Sequence, residues 1–273
     1  MPINPHDFMS EGDPTKQGDK NKSFALAWIY RWGYSTAPII QMLLGHRGMS
    51  WTTGAVTGGW LRRTSVTARE RVKLLTLTSR GVAWVEERRT EIYRYPELEP
   101  HRISPLTVWH SLLAQRVTIH CVRNGEAEGF RTERQEASKS RRGEKKPDVV
   151  LITKARERIG VEIELNNKWD QRFDEFVSST IAALSPAPDG AAARFEKFIV
   201  FTTSPALASR YAAAFQPDAP LRIWRNVSKS DSVLDRTVKV PEWVRDRVEF
   251  RIITDSGELR SPPARDEASG SDS

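Results

Sequence analysis

Three carboxylates and a lysine stand out by spacing. Asp148 follows a proline, thirteen residues intervene before Glu162 and Glu164, and Lys168 lies four residues beyond them. Asp148 opens the apolar run "DVVLIT", and the glutamates sit in "RIGVEIELNN", where Ile159, Val161, Ile163 and Leu165 alternate with Gly160, Glu162, Glu164 and Asn166. A period of two is the pattern of a β-strand, so the two glutamates point to one face, about 7 Å apart along the chain. Joined by Asp148 from a hairpin partner, they can converge on one volume. Clustered carboxylates repel, and a divalent cation taking hard oxygen ligands relieves that repulsion. The same alternation also describes glutamates that merely line a solvated sheet face.

Other elements must hold these strands in place. Leu106, Trp109, Leu112, Leu113 and Val117 share one face of a helix, which gives way to a strand-like "VTIHCV". His110 lies among them and reads either as an interior histidine or as part of a site. Residues 129–137 alternate as a strand, and "SKSRRGEKK" is a basic polar loop. After the carboxylates, Phe173, Phe176, Val177, Thr180, Ile181 and Leu184 fall at helical spacing. "FEKFIVFTTS" then reads as a strand, "PALASRYAAAFQ" as a helix and "LRIWRNV" as a strand. The succession α, β, β, β, α, β, α, β implies an α/β fold with a mixed sheet and helices on both sides.

Pro147-Asp148 followed by Glu162-Ile163-Glu164 resembles the PD-(D/E)XK signature of restriction-endonuclease-like nucleases in its E-x-E form, over about residues 104–226. The resemblance implies an αβββαβ core, placed here within residues 100–254, and a metal-dependent DNA endonuclease. It implies that Asp148 and Glu162 bind Mg2+ or Mn2+, with Glu164 and the Ile163 carbonyl completing the coordination. The products would be a 3′-hydroxyl and a 5′-phosphate. Glu164 stands where the family usually carries lysine. Lys168 is the best replacement as a catalytic cation, and Gln171, one turn on, could assist.

The first half reads differently. "KSFALAWIYRWG" is a helix stopping at Gly33, Thr36 is a good N-cap for "APIIQMLLG", and Ser50 opens a third segment. "TSVTARERVKLLTLT" holds two β-prone stretches about a charged turn, and "SRGVAWVEERRTEIY" is a fourth helix. This order resembles a winged-helix DNA-binding domain over residues 22–95, carried by Leu77, Thr78, Gly81 and Val82 in "LTSRGVAW". From Trp60 to Arg94 nine arginines or lysines face four glutamates. Arg62, Arg63, Arg69, Arg71 and Lys73 are the expected phosphate contacts to double-stranded DNA. The alternative is a solvated basic face on a protein-binding domain. A winged helix followed by such a nuclease domain is similar to MobC-type plasmid mobilization relaxases and replication-relaxation proteins. That implies nicking at an origin of transfer, alone, as a homodimer or with other relaxosome proteins. The rival is a catalytically inactive DNA-binding accessory or regulator with the same fold.

The 273 residues carry a formal net charge of +7, which favours a polyanionic partner. No window holds the roughly 20 apolar residues of a membrane span, and the N-terminus has no apolar signal core, so the chain is expected to be soluble and cytoplasmic. The single cysteine, Cys121, reads as a buried thiol in an apolar strand. Residues 1–21 and 255–273 are expected to be disordered, and prolines at residues 93–105 to separate two domains. The five tyrosines and five histidines show no clustering suited to a covalent tyrosine relaxase.

Overall fold

A computed structural model describes residues 14–45, 50–137, 145–186, 190–227, 231–254 and 257–259. The expected loose ends at 1–13 and 260–273, and most of the basic loop, at 138–144, lie outside the described residues. The first half holds α1 (Pro14–Trp32), β1 (Ser35–Thr36), α2 (Ala37–Leu44), α3 (Ser50–Thr57), β2 (Leu61–Thr67), β3 (Arg71–Leu77) and α4 (Ser79–Glu86). The three strands form an antiparallel sheet in the order β1-β3-β2. Residues 14–21 belong to α1 rather than to a loose segment, and Asn21 is already buried.

Local chemistry fixes the helix ends. Thr36 accepts a hydrogen bond from the Ile39 N–H at 3.4 Å, and Gly45, at φ 69°, closes α2 in the left-handed region. The Thr78 hydroxyl donates to the Gly59 carbonyl at 2.7 Å and accepts from the Gly81 N–H at 3.2 Å. A Cβ on Gly81 would lie 2.5 Å from the Trp60 carbonyl oxygen, so "LTSRG" is a close junction between hairpin and helix that needs glycine.

The second half holds α5 (Pro105–Arg123), β4 (Gly129–Thr132), α6 (Glu133–Ala137), β5 (Val149–Ile152), β6 (Arg158–Ile163), α7 (Asp170–Leu184), β7 (Lys197–Thr202), α8 (Pro205–Ala214), β8 (Pro220–Asn226), β9 (Ser232–Lys239) and β10 (Val248–Ile252). A mixed five-stranded sheet runs β10-β7-β6-β5-β4, parallel from β10 to β6 and antiparallel from β6 to β4. Both of its faces are covered. Val149, Leu151, Val161, Ile163, Ile199 and Phe201 pack into one core with α5, while Val150, Phe198 and Val200 pack into another with α7 and α8. This two-sided burial is why "DVVLIT" is apolar throughout.

Several expectations are corrected. The "VTIHCV" segment is the end of α5, and Cys121 is a buried helical thiol. Leu112, Leu113, Val117, Thr118, Cys121 and Val122 are all buried there, and packing on two sides overrides their β preference. Residues 129–137 divide into β4 and the single turn α6. β8 does not enter the large sheet but pairs with β9 in a separate hairpin, and the unforeseen β10 takes the edge beside β7. Leu259 bridges to Ile253, so the C-terminal segment expected to be loose from residue 255 still pairs at 257–259.

The prolines at 93–105 form two short 3-10 turns, Pro96–Leu98 and Pro100–Arg102, but do not separate two cores. One core cluster runs from Leu26 and Ile29 of α1 through Val108 and Leu113 of α5 to Phe201 of β7. Gln115, fully buried on α5, accepts from Trp28 Nε1 at 2.9 Å and Ser35 Oγ at 2.7 Å and donates to the Tyr34 carbonyl at 2.9 Å. An interior amide satisfied by three groups of the first half makes α5 a shared beam. Among the described residues no helix is long and apolar enough to cross a membrane.

Candidate carboxylate site

The β5–β6 register sets the site. Val149 faces Val161 and Val150 faces Gly160, so one further step places Asp148 opposite Glu162. Gly160, Glu162 and Glu164 alternate with residues of the α5 core and therefore lie on the α7 side of the sheet. Asp148 Oδ2 accepts a hydrogen bond from the Ile163 N–H at 2.8 Å, extending the hairpin by a side chain. From α5, His110 Nε2 lies 2.9 Å from the Ile163 carbonyl oxygen and 3.2 Å from Asp148 Oδ2, so one N–H serves two oxygens. His110 thus belongs to this cluster rather than to the apolar interior.

The glutamates are buried, 7% and 6% exposed, which a solvated sheet face would not produce. Each has a lysine. Lys145 Nζ lies 2.9 Å from Glu162 Oε1, and Lys168 is ion-paired with Glu164. Both ammonium groups sit over the Phe176 ring of α7, 4.3 and 4.8 Å from its centroid. Tyr211 of α8 accepts from the Lys168 N–H at 3.3 Å and closes the far side.

The electrostatics are strained. Burial pushes the Glu162 carboxyl up to about 8; Asp148 and Glu164 push the same way and Lys145 opposes them. Burial alone would lower His110, but the hydrogen bond and charge of Asp148, with the Ile163 carbonyl and Glu162, carry it up to about 9. Glu133, at the start of α6, is raised by burial and by Asp148. A cavity of about 90 Å3 opens between Glu133, His110, Asp148 and Arg31.

Among the described residues no three histidine, cysteine or acidic side chains are grouped closely enough to form a complete metal cage. The donor set nevertheless suits a hard divalent cation in kind. Glu162 is buried and Asp148 is near enough to push its carboxyl up, a repulsion that a cation between hard oxygen ligands would relieve. In the present arrangement His110, Lys145 and Lys168 supply the positive charge beside the three acids.

Of the residues singled out in the sequence, Asp148, Glu162, Glu164, Lys168 and His110 come together. Gln171 does not join them by any hydrogen bond; its side chain donates to Glu175 Oε1 at 2.7 Å along α7. The basic residues of the first half are exposed on the β2–β3 hairpin. Arg62 donates to the Leu98 carbonyl at 3.2 Å, and the Arg69 guanidinium lies 5.7 Å from the Trp109 ring. Arg63, Arg71 and Lys73 line a cleft against α5. Sequence reasoning missed Lys145 and Glu133. The string "KKPD" carries the signal for Lys145, three residues before Asp148, but in sequence that lysine is indistinguishable from the rest of a basic loop.

Compared with family models, curated proteins and solved structures, the chain matches none.

Proposed function

We propose that this chain is a DNA-binding, Mg2+- or Mn2+-dependent endonuclease of PD-(D/E)XK type, with the first half serving as a winged-helix DNA-binding part. The observation that carries the reading is the buried Glu162 of β6, whose carboxyl is pushed up by burial and by the neighbouring Asp148, which stands just before β5. Buried acids with two lysines beside them are costly as structure alone and are the kind of perturbed cluster that marks working sites. The order of α1 to α4 with the β2–β3 hairpin, and its exposed arginines, supports the DNA-binding part.

In this reading Asp148 and Glu162 hold the cation, and the Ile163 carbonyl and Glu164 are the next donors. The bound cation supplies polarisation of the scissile phosphate and a water of lowered pKa. The chain's own part is to place charge. Lys168, held by Glu164 and the Phe176 ring, and Lys145, beside Glu162, stand ready to neutralise charge on phosphate oxygens. His110 fixes the Asp148 carboxylate against the Ile163 backbone. A nick at an origin of transfer, in a relaxosome or a homodimer, extends this reading by the order of the two parts.

The lysine pairing favours a second reading. Because Glu162 and Glu164 already have cationic partners, the same fold can serve as a DNA-binding accessory or regulator that needs no metal. Isothermal titration with Mn2+ in two buffers of different ionisation enthalpy separates them. The nuclease reading expects saturable binding with proton release from Glu162, abolished in Glu162→Gln; no binding at millimolar Mn2+ leaves the accessory reading.

A further inference from the structure

A cavity of about 380 Å3 lies away from the carboxylates, between the β2–β3 hairpin and α5. Four cations line it, Arg63, Arg71, Lys73 and Arg116, against one acid, Glu70. Elsewhere arginines meet carboxylates: Arg131 and Arg158 each reach Glu136 at 2.7 Å, and Arg251 reaches Glu249 at 2.6 Å. Among the described residues Arg63, Arg71 and Lys73 form no such pair. The three stand on the hairpin side of the cleft, where an anion can meet them together.

The rest of the lining is apolar: Val72, Leu75, Leu112, Leu113 and the Trp109 ring. The volume is within the roughly 300 to 1,000 Å3 typical of small-ligand pockets, which pair an apolar wall with a few placed charges. We propose that this cleft binds a small organic anion, a flat apolar body carrying a carboxylate or phosphate. Its ring lies against Trp109 and the leucines of α5, and its acid group meets the forked guanidinium groups of Arg63 and Arg71 with Lys73 beside them. The site lies apart from the carboxylate cluster, although Trp109 directly precedes His110 on α5, and it shares Arg63, Arg71 and Lys73 with the DNA-binding reading of the hairpin, so duplex and small anion would compete for them.

Calorimetric titration of the full chain with 2-naphthoate tests it, with 2-naphthamide as the uncharged analogue and inorganic phosphate as the anion lacking a ring. The expected result is one saturable naphthoate site, with both comparators weaker by at least about tenfold. The Arg71→Glu/Lys73→Glu variant, and separately Arg63→Gln, weaken naphthoate while Glu162→Gln does not; near-ultraviolet circular dichroism verifies that each variant is folded. Equal affinity for naphthoate and naphthamide, phosphate binding as tightly as naphthoate, binding indifferent to the charge reversal, or no saturation at millimolar naphthoate each overturns the proposal.

Discussion

Asp148 Oδ2 accepts a hydrogen bond from the backbone N–H of Ile163 at 2.8 Å and shares the Nε2–H of His110 with the Ile163 carbonyl. A side chain therefore continues the β5–β6 ladder at the point where the strands part, and ties α5 to it. This places one carboxylate opposite Glu162 and leaves His110 as its cationic neighbour.

Asp148→Asn keeps the shape of the side chain but removes its charge. The His110 titration, raised to about 9 mainly through Asp148, is expected to fall toward its ordinary value near 6.5. A proton NMR titration of the His110 ring reads this directly; a midpoint that stays near 9 contradicts the assignment of its cause.

Stability should fall as pH rises through the neutral range. Glu162 and His110 both have folded-state values above their ordinary ones, so each favours the fold while protonated. The Glu162 contribution is complete below its ordinary carboxylate range and is lost as pH climbs through about 8; that of His110 is complete below about 6.5 and is lost through about 9. Glu162→Gln cannot ionise, so in chelator its melting temperature relative to wild type rises from pH 5 to pH 9. A difference independent of pH counts against a buried, protonated Glu162.

Gly160 is required by packing. A Cβ there would lie 2.6 Å from the Phe198 ring, which is fully buried between β6 and the α7–α8 layer. Gly160→Ala is expected to cost roughly 1 to 3 kcal/mol in chemical denaturation, with partial recovery in a Phe198→Leu background. An unchanged midpoint shows that the ring has room to move.

Arg62 and Arg63 are consecutive on β2 and point to its opposite faces, and alanine at both should weaken duplex binding for all sequences alike. The slope of log affinity against log salt should decrease by about one unit for each phosphate that is no longer neutralised. Affinity and slope equal to wild type remove the hairpin from the DNA role.

Much of this was legible in the sequence for physical reasons. Thr36, Gly45, Gly33 and the "LTSRG" junction act through local caps and turns, and the structure places α2, the hairpin and the start of α4 where those signals put them, although α4 ends at Glu86 rather than running on to Tyr93. The period-two pattern of "RIGVEIEL" put Glu162 and Glu164 on one face, which the sheet retains. What failed was decided at long range. β-branched Val117, Thr118 and Ile119 are helical because α5 is packed by both halves, and no local signal reports that. β8 and β10 are each plausible strands, and only the assembled sheet decides that β10 pairs with β7. Lys145 was missed because a lysine in a basic loop looks solvated until the fold lays it over Phe176.

Supercoiled plasmid incubated with Mg2+ or Mn2+ and the full chain tests the central claim. Wild type should convert it to open circle, chelator should stop the conversion, and Asp148→Asn or Glu162→Gln should reduce it by at least about a hundredfold while still binding the plasmid. Plasmid that is bound but left intact by wild type in either metal, or conversion that survives both substitutions, contradicts the claim.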